Sequence, residues 1–257
     1  MRVDYETLRV KLRWNCVGDR LFRDGVDHYE IDRYRFERAA SAIPDAGHAV
    51  IADIGSFPGY GIWAFRESAG YIGMGKCPDW YRSALHRMGL EWIDCDFESP
   101  SPIGPPFRPP DIVMLQEVIE HIRHPKKFLS RLYAWMPSGA RLYLTTNNQS
   151  YLGYVLKQIA GRDIFDSAMT EDTVYPGHCT YYTLAGLSDL LRGIGFEVIS
   201  AQRFNFLPPP RFYRNLLTAS AKNLLMHSVP SWYATHIEII CQKSSLRAAE
   251  GDLVIEP

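Results

Sequence analysis

Short apolar runs alternate with helix-like stretches from residue 46 to residue 203. A short apolar run bounded by turn residues is typical of a buried strand, and apolar residues at every third or fourth position are typical of a helix. The strand candidates are Ala49–Ile54, Tyr71–Met74, Leu90–Ile93, Asp111–Gln116, Ala140–Thr146 and Phe196–Ala201, and the helix candidates between them are Tyr60–Ser68, Trp80–Met88, Pro125–Trp135 and Leu184–Arg192. Because parallel strands need long crossover connections, this alternation predicts a doubly wound α/β core with a mostly parallel sheet.

The 257 residues suffice for one large domain with extensions. We interpret residues 1–45 as an N-terminal helical extension, residues 46–243 as the domain and residues 244–257 as a polar tail; helices are expected at Tyr5–Arg13 and Ile31–Ala42, and a last strand at Ala234–Cys241. Two long segments, 149–182 and 205–232, break the alternation, and segments of this length usually cover a binding site.

The formal net charge of −1 argues against nucleic acid as a partner, because no strong positive field is present. No apolar run is long enough to span a bilayer, and the N-terminus lacks the pattern of a secretory signal. The five scattered cysteines fit a reducing compartment, so we expect a cytoplasmic protein. We expect it to be a monomer or a homodimer. The amphipathic stretch Arg211–Met226 leaves peripheral membrane contact open, although packing on the domain or dimerisation is favoured.

The first strand candidate runs into a glycine-rich turn, A-D-I-G-S-F-P-G-Y-G. Gly55, Gly59 and Gly61 let backbone N–H groups approach a ligand closely, but their spacing is not that of a dinucleotide fingerprint. Taken alone, the turn is compatible with a ligand site or with a plain tight turn.

The fourth strand candidate ends in four polar residues, Gln116, Glu117, Glu120 and His121. Polar groups at the end of a buried strand are costly unless they bind something. In an open α/β sheet the carboxyl ends of the strands are where ligands bind. If a helical turn starts directly after the strand, Glu117 and His121 stand at i and i+4 and share a face.

Four motifs in this order resemble those of the class I S-adenosylmethionine-dependent methyltransferases. They are Asp53-x-Gly55-x-x-x-Gly59, the stretch Asp111–His121, the turn Pro137–Leu142, and a late segment in which His178–Leu184 is followed by L-L-R-G-I-G-F-E-V. The late segment is similar to that of the ubiquinone-biosynthesis O-methyltransferases. The resemblance implies a Rossmann-like sheet of seven strands with helices on both faces and an antiparallel last strand.

The resemblance also implies S-adenosyl-L-methionine as cofactor and assigns residues to it. The turn that contains Gly55, Ser56, Phe57 and Gly59 would hold the methionine part, and Asp53 would anchor its ammonium group. Asp96 would accept from the adenine amino group, and Phe97 would pack on the adenine. Gln116 and Glu117 would line the wall beside the methyl group.

Two positions depart from the family pattern. Phe57 replaces a glycine of the first motif, and Gly75 stands where an acidic residue usually holds both ribose hydroxyls. A lost hydrogen bond to a charged group costs about 1.5–3 kcal/mol. Cofactor binding could survive with Asp79 as a substitute, the ligand could differ, or activity could be lost. The alternative to an enzyme is therefore a non-catalytic pseudo-methyltransferase that serves as a binding or scaffold module.

The spacing E-x-x-E-H, together with His178, resembles the metal site of the small-RNA 2′-O-methyltransferases. Glu117, Glu120, His121 and His178 are candidate ligands for Mg²⁺ or Mn²⁺. His121 is alternatively a general base without metal, or a structural residue. We take His121, Glu117 and His178 as the candidate catalytic residues. The expected activity is O-methylation of a small-molecule, saccharide or lipid-linked acceptor. A nicotinamide oxidoreductase is disfavoured because G-x-G-x-x-G is absent.

Overall fold

The structure is a computed structural model that describes most of the predicted domain. The described residues are 28–43, 47–56, 61, 65, 68–76, 79, 82, 86, 91–99, 103, 108–162, 178–205 and 233–244. The predicted helices Tyr5–Arg13, Tyr60–Ser68 and Trp80–Met88, the tail, and much of the two cover segments lie wholly or largely outside these ranges. No helix in the described ranges is long and apolar enough to cross a membrane.

Within the described ranges, seven strands form one sheet in the order β3-β2-β1-β4-β5-β7-β6. Their bounds are β1 Val50–Ile54, β2 Gly70–Met74, β3 Glu91–Ile93, β4 Ile112–Gln116, β5 Arg141–Asn147, β6 Phe196–Phe204 and β7 His236–Lys243. Strand β7 pairs antiparallel with both β5 and β6, while the pairs among β1 to β5 are parallel. The predicted fold class, including the antiparallel last strand, is confirmed.

One described helix precedes the strands and three lie between them in the chain. The described helices are α1 His28–Ala42, α2 Pro125–Trp135, α3 Leu152–Ile159 and α4 Leu184–Ile194, and a single 3₁₀ turn, Ile119–His121, follows β4. Helix α2 begins at a proline, whose missing N–H needs no partner at that position. Helix α4 is capped by the Thr183 side chain, which accepts from Gly186 N, and it ends at Gly195 in the left-handed conformation.

Both faces of the sheet are covered. Helix α1 buries Phe36 and Ala39 on one face, beside Ile51 of β1. Helices α2 and α4 bury Leu132 and Leu187 on the other face. Strands β1 and β4 are therefore buried along their whole length, which explains why they appear in the sequence as unbroken apolar runs.

The neighbouring strands β1 and β4 lie at the centre of the sheet. The chain continues from β1 to β2 on one side of this pair and from β4 to β5 on the other side. This is the point where the strand order reverses, and ligands of doubly wound folds bind outside the carboxyl ends of the strands there. The glycine turn after β1 and the polar residues after β4 are consequently at the same edge.

Candidate functional site

Gly55 places the turn after β1 directly against the segment after β4. Its φ angle is 72°, and its N–H donates to Met74 O over 2.9 Å. A Cβ at this position would lie 2.4 Å from Val118 Cγ2. Both the backbone conformation and the close approach of Val118 therefore require glycine.

The buried carboxylate of Asp53 accepts a hydrogen bond from the Tyr71 hydroxyl. Burial, followed by the charge of Asp53, raises the pKa of Tyr71 well above its usual value, so the phenol remains the donor. A Cβ on Gly61 would lie 2.7 Å from Asp53 Oδ2 and 2.4 Å from the Tyr71 hydroxyl, so Gly61 is required by close packing. The role of Asp53 as an ammonium anchor stays a prediction, and Phe57 and Gly59 lie outside the described residues.

Gln116 ends β4 with its side chain 4% exposed, and neither its amide nitrogen nor its amide oxygen has a hydrogen-bond partner. The Oε1 atom of Glu117 is also buried and without a partner. Each such group costs about 1–3 kcal/mol unless something binds it. These buried donor and acceptor atoms at the end of β4 are able to bind a polar ligand, and the role of Gln116 and Glu117 as the wall beside the methyl group stays a prediction.

Asp96 and Phe97 follow β3, where the adenine was expected. Asp96 Oδ2 lies 2.8 Å from Lys76 Nζ, and this contact, against the opposing effect of partial burial, lowers the pKa of the Asp96 carboxyl. Phe97 contacts the Phe128 ring edge-on with 5.5 Å between centroids. The adenine contacts remain predictions. Lys76 was not among the expected site residues.

Glu117 has a φ angle of 55°, and among the described non-glycine residues it alone has a positive φ. The 3₁₀ turn begins only at Ile119, so the helical i, i+4 arrangement of Glu117 and His121 does not form. Instead Glu117 Oε2 lies 3.4 Å from Nε2 of His236 on β7. Burial, the largest single influence, raises the pKa of Glu117, but His236 together with Arg35 and Thr145 outweighs this effect, and the net pKa is lowered to about 2.

His236 was missed because a lone histidine in an apolar strand carries no sequence signal. Strand β7 runs against its neighbours, so its first residue reaches the edge where the parallel strands end.

Glu120 is fully buried, and its carboxylate accepts from the hydroxyl of Thr146 over 2.8 Å and from Nδ2 of Asn147 over 3.4 Å. Burial, followed by the negative charge of Glu117, raises the pKa of Glu120 well above its usual value. The backbone oxygen of Glu120 accepts from the N–H groups of Cys179 and Thr180 over 2.7 and 3.1 Å. These two bonds attach the distant segment that begins at His178 to the end of β4.

The result is a cluster of three ligand-type side chains, Glu120, His121 and His178. One oxygen or nitrogen atom of each lies within 4.8 Å of those of the other two. The two imidazole rings meet edge to face with 4.8 Å between centroids. The structure thus brings together three of the four predicted metal ligands, whereas Glu117 is held at His236. We call this group the Glu-His-His cluster.

Aromatic rings continue from this cluster toward α3. The Tyr181 hydroxyl lies 3.0 Å from His178 Nδ1, and the Tyr181 ring contacts that of Tyr154 with 5.1 Å between centroids. Tyr151 contacts Tyr154 in turn, at 5.3 Å. Three phenol rings in contact with one another therefore extend from the cluster to α3.

A family model described as a methyltransferase domain matches residues 35–201, more than half of the chain. A search of curated protein sequences finds no match.

Solved structures show the same fold. A methyltransferase from Archaeoglobus fulgidus that depends on S-adenosylmethionine has a TM-score of 0.57 at 15% identity, over 94% of this chain and 100% of that one. An S-adenosylmethionine-dependent methyltransferase from Mesorhizobium loti has a TM-score of 0.53 at 12% identity, over 85% of this chain and 99% of that one.

The 1,6-didemethyltoxoflavin-N1-methyltransferase of Burkholderia thailandensis, with S-adenosylhomocysteine bound, has a TM-score of 0.52 at 16% identity, over 95% of this chain and 92% of that one. These likenesses concern the fold, and the expected relation to the ubiquinone-type subgroup stays a prediction. The match of the family model shows the class: the chain belongs to the class I S-adenosylmethionine-dependent methyltransferases.

Proposed function

We propose that this methyltransferase transfers the methyl group to a hydroxyl oxygen of a small or medium acceptor, such as a sugar, a lipid-linked or an aromatic hydroxyl. The observation that supports this is the Glu-His-His cluster after β4. The cluster follows Gln116, whose amide has no hydrogen-bond partner and would face the methyl donor. Donor and acceptor groups would then meet along one short segment of chain.

The choice of oxygen rests on proton chemistry. A neutral amine offers its lone pair directly, whereas an alcohol attacks a sulfonium methyl slowly unless its proton is removed. Two imidazoles and a carboxylate within 4.8 Å are a suitable group for taking up that proton. His121 is the candidate base, because its imidazole belongs to the cluster and stands directly after the buried Glu120.

The same three side chains fit a divalent cation. One carboxylate and two neutral imidazoles are common ligands of Mn²⁺, and Mg²⁺ prefers sites with more oxygen ligands. When bound, the ion would lower the pKa of an acceptor hydroxyl as a Lewis acid. Glu120, held by Thr146, would supply a carboxylate oxygen once the ion displaces the proton that its raised pKa favours, and Glu117 would add a second carboxylate only by leaving His236.

The phenol rings of Tyr154 and Tyr181 support an acceptor with a flat apolar face and hydroxyl groups. Aromatic rings stack on such faces, and their hydroxyls orient polar substituents. The Tyr154 hydroxyl donates to Asn147 Oδ1 over 3.0 Å, which ties the aromatic surface to the residue that holds Glu120. Substituents on the acceptor would be positioned relative to the cluster by these contacts.

The test uses the purified full chain with S-adenosylmethionine that carries a ¹³C-methyl group. The acceptor panel contains sugars, phenols, a lipid-linked saccharide and matched amines, and the product is identified by NMR. We expect methyl ethers. Methylation of only the amines, or of carbon, would refute the choice of oxygen.

The cluster itself is tested with His178→Ala and with chelator. We expect turnover to fall by about tenfold or more in the variant, as for loss of a base or ligand. His86→Ala is the matched control, because His86 is exposed and outside the cluster. If chelator leaves wild-type turnover unchanged while His178→Ala lowers it, the metal is excluded and the metal-free base is favoured.

A further inference from the structure

The donor site departs from the usual pattern where the ribose would lie. In doubly wound folds an acidic residue about 20 residues after the first glycine turn accepts hydrogen bonds from a ribose hydroxyl. Twenty residues after Gly55 the chain has Gly75, directly after β2. A glycine has no side chain with which to accept these bonds.

The backbone explains why glycine occupies this position. Gly75 has a φ angle of 136°, which L side chains rarely adopt. Its N–H donates to Ile93 O over 3.1 Å, and its carbonyl accepts from Nε1 of Trp92 over 3.0 Å, so both backbone groups join β2 to β3. A Cβ would meet Phe97 Cζ at 3.5 Å, an ordinary contact, so the conformation rather than the space disfavours a carboxylate here.

Three aspartates at this edge, Asp79, Asp94 and Asp96, are each paired with a cation. Arg82 binds both Asp79 and Asp94. The Asp79 side chain is 92% exposed, so it is not presented as a substitute for the missing acid. The residue directly after Gly75 is Lys76, whose ammonium group lies 2.8 Å from Asp96 Oδ2.

Lys76 can turn to a ligand at little cost. Its side chain is 70% exposed and that of Asp96 is 41% exposed, and ion pairs between such exposed groups contribute at most about 1 kcal/mol. Asp96 thus keeps the ammonium group at this rim without immobilising it.

We propose that the ribose edge of the donor site is recognised by the ammonium group of Lys76, which donates to oxygen atoms on the ribose, instead of by a carboxylate that accepts from the ribose hydroxyls. The inference rests on S-adenosylmethionine as the donor. It reverses the direction of the hydrogen bonds: the ligand needs oxygen lone pairs at this edge and does not need hydroxyl protons. An anionic substituent there is favoured, as an added cation favours the 2′-phosphate in dinucleotide sites.

The experiment compares S-adenosylhomocysteine with its 2′-O-methyl and 2′-phosphate derivatives by calorimetric titration of the full chain. For a carboxylate-type site, the methyl group would remove a charged hydrogen bond and weaken binding by about ten- to a hundredfold. Here the 2′-O-methyl compound is expected to bind within about threefold of the parent, and the 2′-phosphate about threefold or more tightly, as for an exposed ion pair. A tenfold loss with either derivative would overturn the proposal.

The role of Lys76 is tested with Lys76→Met, which keeps the aliphatic stem and removes the charge. We expect the preference for the 2′-phosphate to disappear in this variant and to persist in the matched control Lys127→Met, an exposed lysine on α2. An unchanged preference in Lys76→Met would contradict the assignment. High salt should reduce the preference in wild type, because exposed charges are screened.

The outcomes separate this inference from the activity itself. If only the phosphorylated derivative binds, the unmodified donor is wrong, and the inference, which rests on that donor, is overturned with it. If none of the three compounds binds at millimolar concentration, both the inference and the donor assignment fail. If the parent binds and the 2′-O-methyl compound does not, the donor holds and the inference alone is overturned.

Discussion

The Nε2 atom of His236 on β7 lies 3.4 Å from the Oε2 atom of Glu117 after β4. Glu117 adopts a φ of 55°, which costs a non-glycine residue about 1–2 kcal/mol, so tertiary contacts must offset this cost. The pairing with His236 is one such contact. It also explains why Glu117 is absent from the Glu-His-His cluster that its sequence neighbours Glu120 and His121 form.

Replacement of His236 by glutamine should raise the pKa of Glu117, because the contact that offsets the effect of burial on this carboxyl would be lost. The pKa of Glu117 is lower in the folded protein than its usual 4.5, so its contribution to stability is complete above pH about 4.5 and is lost as the pH falls toward about 2.

Urea unfolding of wild type and His236→Gln between pH 3 and 6 measures this contribution. We expect the variant to be less stable by about 1.5–3 kcal/mol at the upper end, as for a lost charged hydrogen bond, and the difference to shrink with acid. A difference that grows as the pH falls would contradict the assigned direction.

Gly55→Ala should destabilise the protein and weaken cofactor binding. The new Cβ would lie 2.4 Å from Val118 Cγ2 and would stand at a φ of 72°. Left-handed backbone costs about 1–2 kcal/mol, and overpacking costs about 1–3 kcal/mol more. Denaturant unfolding and titration with S-adenosylhomocysteine measure the two effects.

Two further variants separate the steric and backbone causes of the stability loss in Gly55→Ala. Val118→Ala in the Gly55→Ala background removes the steric contact and should restore part of the stability, leaving the backbone cost. Gly193→Ala on α4 is the matched control, because a Cβ there meets nothing within 4 Å and helix propensity favours alanine. Equal losses in Gly55→Ala and Gly193→Ala would refute the argument.

Arg38→Met should destabilise the protein by about 3–5 kcal/mol, the range for breaking a buried ion pair. The Arg38 guanidinium donates to both oxygens of Glu238, over 2.7 and 3.1 Å, and Glu238 is 1% exposed. The variant would leave this carboxylate with the neutral Tyr143 and Gln202 donors.

Adding Glu238→Gln to Arg38→Met should recover much of that loss, because the uncompensated charge is then gone. Chemical denaturation of both single variants and of the double variant gives the coupling energy. Additive losses would show that α1 is not held to β7 by this pair.

Tyr181→Phe should lower the affinity for Mn²⁺ by about tenfold or more, because residues that orient a ligating histidine commonly contribute this much. The Tyr181 hydroxyl lies 3.0 Å from His178 Nδ1 and orients that ring. Tyr133→Phe is the control, since the Tyr133 hydroxyl is buried without a hydrogen-bond partner. Titration monitored by Mn²⁺ electron paramagnetic resonance measures binding without turnover, and equal affinity in both variants would exclude the positioning role.

Much of the fold was predictable because its signals are local. Helix α2 has its predicted bounds. Most strand ends lie one to three residues from their predicted positions, and the other strand ends coincide with them. Strand β6 continues to Phe204 instead of ending at Ala201, because its pairing with β7 extends that far. Pairing across a sheet is a tertiary property, and the polar residues Gln202 and Arg203 conceal it in the sequence.

The site was predictable where its residues lie on one strand end and not where distant segments meet. Gln116, Glu117, Glu120 and His121 are recognisable in the sequence as polar residues that follow an apolar run. His236 and Lys76 carry no such signal, because each acquires its role from a neighbour in space. The prediction that Glu117 and His121 share a helical face is wrong, because Glu117 adopts a left-handed backbone conformation.

The sequence by itself determined the alternation of elements, the turn at Gly55 and the order of the motifs, since apolar period, glycine conformation and spacing are properties of the chain. The tertiary structure alone decided which polar groups meet. Hydrogen bonds from Cys179 and Thr180 to the Glu120 carbonyl bring His178 to the cluster, and the antiparallel direction of β7 assigns Glu117 to His236. Such contacts form only when distant segments of the chain assemble around the sheet, so no short stretch of sequence predicts them.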